Sequence, residues 1–190
     1  MKKLIVVAAA VIMMMGLAGS AMAANSIAQG STAISVGMGD SYFVHSLEPL
    51  SDVYLNNVVD ISGRYFIAKD MAIYGGFGLQ LNSGDYDGTY FSFTAGIRKY
   101  MSTNDFAPFI GGQLSYISAD ADGPTGAKIA DVTVIDLAAL FGAEYFFSKN
   151  FSLEGAVGFG IGQVDDSLPG RGDSTYLGTR TVGVHANFYF

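Results

Sequence analysis

The chain has 190 residues, half of them apolar, with a formal net charge of −7 and no cysteine. That length accommodates one domain with a sizeable core, and no break in composition marks a second. The acidity excludes nucleic acid as an expected partner, and the lack of cysteine excludes disulfides, thiolate metal sites, a cysteine nucleophile and a lipid-bearing anchor.

The first 23 residues read as an export signal: Lys2 and Lys3 precede an apolar run from Leu4 to Met15, and the small-residue triplet Ala21-Met22-Ala23 follows. A basic start, an apolar middle of this length and an A-x-A site predict cleavage after Ala23, leaving 24–190 as one mature domain. The run is too short for a permanent spanning helix, and nothing after it approaches the ~18 uninterrupted apolar residues such a helix needs. Export without disulfides suits a bacterial envelope protein. If this chain enters a membrane, it does so as strands.

Eight strands are predicted in chain order. Ala33 to Met38 is the first, with indistinct ends; Val59 to Ile67, Ala72 to Leu81, Tyr90 to Tyr100 and Phe106 to Tyr116 follow. Each of these four is close to the ~9–11 residues that a tilted membrane strand requires. Pro108 lies near the start of the fifth, where a missing N–H is tolerated. The stretch from Ile129 to Phe146 has helix-like composition but a period of two, with Ile135, Leu137, Ala139, Phe141, Ala143 and Tyr145 alternating against Asp136, Ala138, Gly142 and Glu144. Period outweighs propensity, so this is the sixth strand, with Leu140 as an apolar exception on its polar side. Phe151 to Ile161 alternates in the same way, and so does the last stretch, where Val182, Val184, Ala186, Phe188 and Phe190 oppose Thr181, Gly183, His185, Asn187 and Tyr189.

The connections are predicted to alternate in length. Those around Lys69-Asp70, from Met101 to Asp105 and from Phe147 to Asn150 are short, whereas Gly39 to Val58, Asn82 to Gly88, Ile117 to Asp131 and Gly162 to Ser174 are longer and rich in Asp, Gly, Ser and Asn. Short turns on one side and long loops on the other are the pattern of outer-membrane barrels, and an even strand count places both termini on the short-turn, periplasmic side. The predicted fold is all-β: an eight-stranded antiparallel up-and-down transmembrane β-barrel.

Alternation alone does not say which face meets lipid, because a soluble barrel has the same period with its apolar face inward. Two features point to lipid outside. Aromatics gather near the short turns and the C-terminus (Tyr65, Phe66, Tyr100, Phe106, Phe109, Tyr145, Phe146, Phe147, Phe151, Phe188, Tyr189, Phe190), as an interfacial girdle would, with a looser ring near the long loops (Tyr42, Phe43, Tyr90, Phe91, Tyr116, Tyr176). The strand charges Asp60, Arg64, Arg98, Asp136, Glu144 and Glu154 all take the polar parity. They are expected to form an ion network in the lumen, where Glu144 and Glu154 face each other across a turn and Arg64 and Arg98 reach between them. We read this cluster as structural filling of a narrow barrel, in preference to a proton or ion path.

With its export signal, alternating strands, tight turns, acidic loops and closing stretch Val184-His185-Ala186-Asn187-Phe188-Tyr189-Phe190, the chain resembles the small outer-membrane β-barrel superfamily that includes the OmpA transmembrane domain, OmpX/Ail and opacity-type proteins. The resemblance covers nearly the whole mature chain and rests on pattern. It implies that Phe188 and Phe190 are read by the barrel-assembly machinery as an insertion signal, and no peptidoglycan-binding domain is expected after the barrel. It also implies the outer membrane as location, with outer-membrane lipid and lipopolysaccharide as surroundings, and a monomer as the expected state.

Chemistry is scarce. Lipid A deacylases of the PagL type carry a serine two residues after a late-strand histidine, but His185 is followed by Ala186 and Asn187, and amide nitrogen is no nucleophile. His45 lies in the first loop without a catalytic companion. Arg171-Gly172-Asp173 spells an integrin-type tripeptide, a motif short enough to arise by chance, and Asp120-Ala121-Asp122-Gly123 begins like a calcium loop but does not continue. No cofactor, catalytic residue or metal site is expected. The loop acids Asp40, Glu48, Asp52, Asp85, Asp87, Asp120, Asp122, Asp131, Asp165, Asp166 and Asp173 far outnumber Lys128 and Arg171, so the outer surface is expected to be acidic, to suit loop solubility and to offer a face to an extracellular ligand. Divalent cations could bridge it weakly to lipopolysaccharide. The sequence therefore predicts a non-catalytic structural or surface-interaction role, adhesin-like, with a small pore as the alternative and a lipid A-modifying enzyme as a third, weaker reading.

Overall fold

In the computed structural model, residues 27–38, 59–84 and 87–190 are described. The export segment, the first loop with Asp40, Tyr42, Phe43, His45, Glu48 and Asp52, and Asp85 lie outside them. Eight strands follow in order: β1 Thr32–Met38, β2 Val59–Ala68, β3 Met71–Asn82, β4 Asp87–Tyr100, β5 Phe106–Asp122, β6 Lys128–Ser148, β7 Phe151–Asp166 and β8 Ser174–Tyr189. Each pairs antiparallel with its chain neighbours, and β1 closes on β8 through Ala33↔Tyr189 to Met38↔Val184, so the barrel is closed and up-and-down as predicted. At the seam Thr32 and Phe190 exchange backbone hydrogen bonds of 3.0 and 3.4 Å.

The side-chain period of two places alternate residues inside and outside on every strand. The outside is apolar: Phe77 on β3, Phe93 on β4, Leu114 on β5, Phe141 on β6, Phe159 on β7 and Val184 on β8 all face away from the lumen and are half exposed. The inside holds Arg64, Arg98, Gln113, Asp136, Glu144, Glu154, His185 and Asn187, all buried.

The lower strand ends and the tight turns fall where the sequence puts them, but the upper ends do not. β5 and β6 run on to Asp122 and back from Lys128, so the predicted long loop from Ile117 to Asp131 shrinks to 123–127. β7 likewise continues to Asp166, and β8 already begins at Ser174. The third upper connection is therefore no longer than the turn at 101–105, so the contrast in length between the two ends is weaker than the sequence suggests. On β8 the register against β7 shifts beside Ala156/Val157, with Gly183 at φ 81. A left-handed residue of this kind is how an antiparallel strand absorbs one extra residue, and glycine adopts it at no steric cost. The bulge changes the parity: Val184 and Phe188 face out below it, and Leu177 faces out above it.

Candidate functional site

The lumen is filled near its lower, short-turn end by an ion network. Glu144 and Glu154 are direct cross-strand partners on β6 and β7. Arg64 spans them, with Nη1 2.9 Å from Glu144 Oε2 and Nη2 2.6 Å from Glu154 Oε2, and Arg98 Nη1 lies 2.5 Å from Glu154 Oε1. Tyr100 and Tyr189 donate their hydroxyls to Glu144 at 2.8 and 2.5 Å, Asn187 Nδ2 donates to the same carboxylate at 3.0 Å, and Ser152 Oγ donates to it as well. The Arg98 guanidinium stacks over Tyr74 and Phe109, 4.3 and 4.6 Å from their ring centres. Two positive and two negative groups thus share one buried site, and the hydroxyls and the Asn187 amide occupy carboxylate lone pairs that the guanidinium groups leave. A buried pair survives desolvation only with such satisfaction.

Asp60 and Asp136, expected in the same network, lie elsewhere. Asp60 Oδ1 is 3.4 Å from His185 Nε2, and Asp136 accepts a 2.7 Å hydrogen bond from the Tyr176 hydroxyl. Distance along the strand separates them: Asp136 is eight residues above Glu144 on β6, roughly 26 Å at the strand rise, and Asp60 is four residues above Arg64, roughly 13 Å. Sharing a parity brought six charges inside, but only four share a height.

Half of the lower aromatic belt also departs from expectation. Tyr65, Phe106, Tyr145, Phe147 and Phe188 face outward, but Phe66, Tyr100, Phe109, Phe146 and Tyr189 face inward and are buried. They build a floor beneath the ion network, with ring centres 5.6 Å apart for Phe66–Tyr100 and Tyr100–Phe109 and 5.2 Å for Phe146–Tyr189. In the upper ring Tyr90 and Tyr176 likewise turn inward, while Phe91 and Tyr116 face out. The signal was present, since the inward rings share the parity of Arg64, Arg98 and Glu144. Leu140, the apolar exception, packs in this lower core.

Four lumen glycines are filled in by their neighbours. A Cβ at Gly96 would strike the Tyr74 ring, one at Gly142 the Phe109 ring, one at Gly162 the Tyr176 ring, and one at Gly37 both His185 and Asp60. Each glycine is a niche that a neighbouring ring or carboxylate fills. Among the described lumen residues His185 meets Asp60, Asn187 donates to Glu144, and the Ser152 hydroxyl is taken up by the same carboxylate, which Arg64 already holds.

At the rims the charges separate. Lys128 binds Asp120 at 2.7 Å and Asp131 at 2.9 Å above, and Arg171 lies 3.4 Å from Asp166. At the lower rim Lys99 lies 2.5 Å from Asp70 in the β2–β3 turn, and its hydrogen bond lowers the Asp70 pKa below the ordinary aspartate value. Arg171, Gly172 and Asp173 are exposed, Arg171 as the last residue of a turn over 168–171 in which its N donates to Leu168 O and Gly170 takes φ 84. Among the described residues no group of three or more His, Asp or Glu side chains could hold a metal ion.

An apolar exterior around a charged and hydrogen-bonded interior is the inverse of a water-soluble barrel, and it is the distribution that a hydrocarbon solvent requires. The chain is similar to the N-terminal β-barrel domain of OprF from Pseudomonas aeruginosa, with a TM-score of 0.51 and 18% identity over 85% of this chain and 98% of that one. Weaker similarities are to Ail, the attachment invasion locus protein of Yersinia pestis (TM-score 0.49, 18% identity, 85% and 99% covered), and to Neisserial surface protein A (0.48, 18%, 84% and 96%). No family model matches the chain, and no curated protein matches it in sequence. The chain has the fold of the small outer-membrane β-barrels.

Proposed function

We propose that this protein is an integral outer-membrane barrel with a non-catalytic structural or surface-interaction role, both chain ends at the periplasmic rim and the acidic loops outside. The observation that carries this reading is the inside-out polarity of the wall. Large apolar side chains such as Phe77, Leu137 and Val157 cover the exterior, while the lower lumen is sealed by the Arg64–Arg98–Glu144–Glu154 network and the aromatic floor under it. That filling speaks against a conducting pore, and the inward, buried position of His185, with Asn187 where a serine nucleophile would stand, speaks against lipid chemistry at the wall. In this reading residues 1–23 direct export and are removed, Phe188 and Phe190 are the handle for the assembly machinery, the barrel is a monomer, and outer-membrane lipid and lipopolysaccharide are its surroundings.

Cell fractionation with electrophoresis of heated and unheated samples tests it. The expected result is recovery in the outer-membrane fraction as a heat-modifiable band; recovery in the soluble periplasmic fraction overturns the reading. Purified protein in planar bilayers is expected to give no stable single-channel steps.

A further inference from the structure

Polarity inverts along the tall strands. On lower β5 the outward residues are Ile110, Leu114 and Tyr116 and the inward ones Gln113 and Ser115; above Tyr116 the outward positions become Ser118, Asp120 and Asp122 and the inward ones Ile117, Ala119 and Ala121, all three buried. β6 mirrors this. Phe141, Leu137 and Ile135 face out opposite Glu144 and Asp136, and then Thr133 and Asp131 face out opposite Val134, Val132 and Ala130, again buried. The outward face also changes on β4 from Phe91 to Thr89, on β7 from Ile161 to Gln163, and on β8 from Leu177 to Thr175.

The line joining these changes follows the barrel. Ser118 pairs with Thr133, and Gln163 with Thr175. Between β4 and β5 the line steps down the register, since Ser118 pairs with Phe91; between β6 and β7 it steps the same way, since Gln163 pairs with Ile135. A level line around tilted, staggered strands must drift in one direction in this manner. Apolar-out packing is stable in hydrocarbon and apolar-in packing in water, so the solvent changes at this line.

We propose that this line is where the headgroups of a lipid leaflet meet the barrel, and that the β4–β8 wall above it is a water-solvated turret with an apolar core of its own. The inference rests on the membrane reading above and sets its depth. Its collar is uncharged and hydrogen-bonding (Ser118, Thr133, Gln163, Thr175), as a headgroup layer requires. Above the collar, carboxylates face outward, and Lys128 is already held by two of them. Inside, Ile117, Val132 and Val134 pack with Tyr90 as a second core, separate from the lower one. On β5 to β7, where the strands run from four to six residues above the line, the turret rises roughly 10–15 Å above the headgroups.

The chain has no cysteine, so single introduced thiols report cleanly. In intact cells a membrane-impermeant maleimide is expected to label Asp120→Cys and Asp131→Cys. Leu114→Cys and Leu137→Cys, outward but below the line, and Ala119→Cys, above it but inward, are expected to react only after denaturation. Protection of Asp120→Cys and Asp131→Cys in a heat-modifiable, outer-membrane protein overturns the turret, as does labelling of Leu114→Cys. Recovery of the chain in the soluble fraction overturns the membrane reading itself. As a second measurement, Val132→Asp is expected to lower the temperature of the mobility shift without removing the protein from the membrane fraction; an unchanged temperature overturns the separate core.

Discussion

Glu144 and Glu154 stand opposite each other across β6 and β7, and a single guanidinium holds both, Arg64 Nη1 2.9 Å from one and Nη2 2.6 Å from the other. Like charges in that position repel, so the pair is tolerable only while the arginines are in place. Replacing Arg64 alone with Met strands buried carboxylate charge and is expected to cost about 3–5 kcal/mol. Arg64→Met with Arg98→Met is expected to cost more, and adding Glu144→Gln and Glu154→Gln to recover part of the loss, because the neutral set needs no counter-charge. The midpoint of urea unfolding from vesicles, read by heat-modifiable mobility, measures this series. An unchanged midpoint in the double variant would sink the idea that the network holds the barrel.

Beneath the network, Phe66 is fully buried and touches Tyr100 and Tyr189 at 5.6 and 6.2 Å between ring centres. Its neighbour Tyr65 faces the other way and is half exposed. Phe66→Ala opens a void under Arg64 and is expected to cost about 3–5 kcal/mol, whereas Tyr65→Ala removes only a lipid-facing ring and is expected to cost less. Equal losses in the same unfolding measurement would mean that Phe66 is not part of a packed floor.

How far the sequence could be read depends on which solvent each stretch meets. β2, β3 and lower β5 to β7 alternate apolar-out and polar-in, and their period of two located them directly. Above Tyr116 and Ile135 the same period continues with its sense reversed. Ser118, Asp120 and Asp122 then look like loop residues, although they are the outward face of a strand with Ile117, Ala119 and Ala121 behind them. The six lumen charges were legible by parity, but their division into a network of four and two separate sites depends on height, which pattern alone does not measure. The extra residue beside Gly183 was not legible, because a glycine on the lumen face of a narrow barrel gives no sign that its φ is positive.

The lower rim supplies a pH dependence. Asp70 accepts a hydrogen bond from Lys99 at 2.5 Å, and its pKa is depressed as a result. A carboxyl with a lower pKa in the folded state contributes stability that is present above its unfolded pKa and lost as pH falls through the folded one. The contribution is small, because the pair is exposed and screened by salt. Asp70→Asn is expected to flatten this acid-side loss slightly and to leave the neutral midpoint nearly unchanged. Unfolding midpoints of both proteins through the acid range at low salt check this, and curves that stay parallel throughout would refute a role for the pair.

Gly142 and Gly155 lie on paired strands one register step apart, Gly142 opposite Ala156 and Gly155 opposite Ala143, yet they face opposite solvents. A Cβ on Gly142 would meet the Phe109 ring, the Gly155 carbonyl and the Ala156 methyl, while one on Gly155 would meet nothing within 4 Å. Valine at 142 must therefore displace the ring that stacks under Arg98, and is expected to cost about 1–3 kcal/mol by overpacking. Valine at 155 adds a β-branched side chain toward lipid, fits the strand better than glycine, and is expected to leave stability unchanged or raise it by up to about 1 kcal/mol. The comparison reports on orientation more than on composition, since both variants make the same chemical change within one hairpin. If Gly155→Val proved the more damaging of the two, the assignment of inside and outside on β6 and β7 would be reversed, and the lumen network and the lipid-facing wall would both have to be given up.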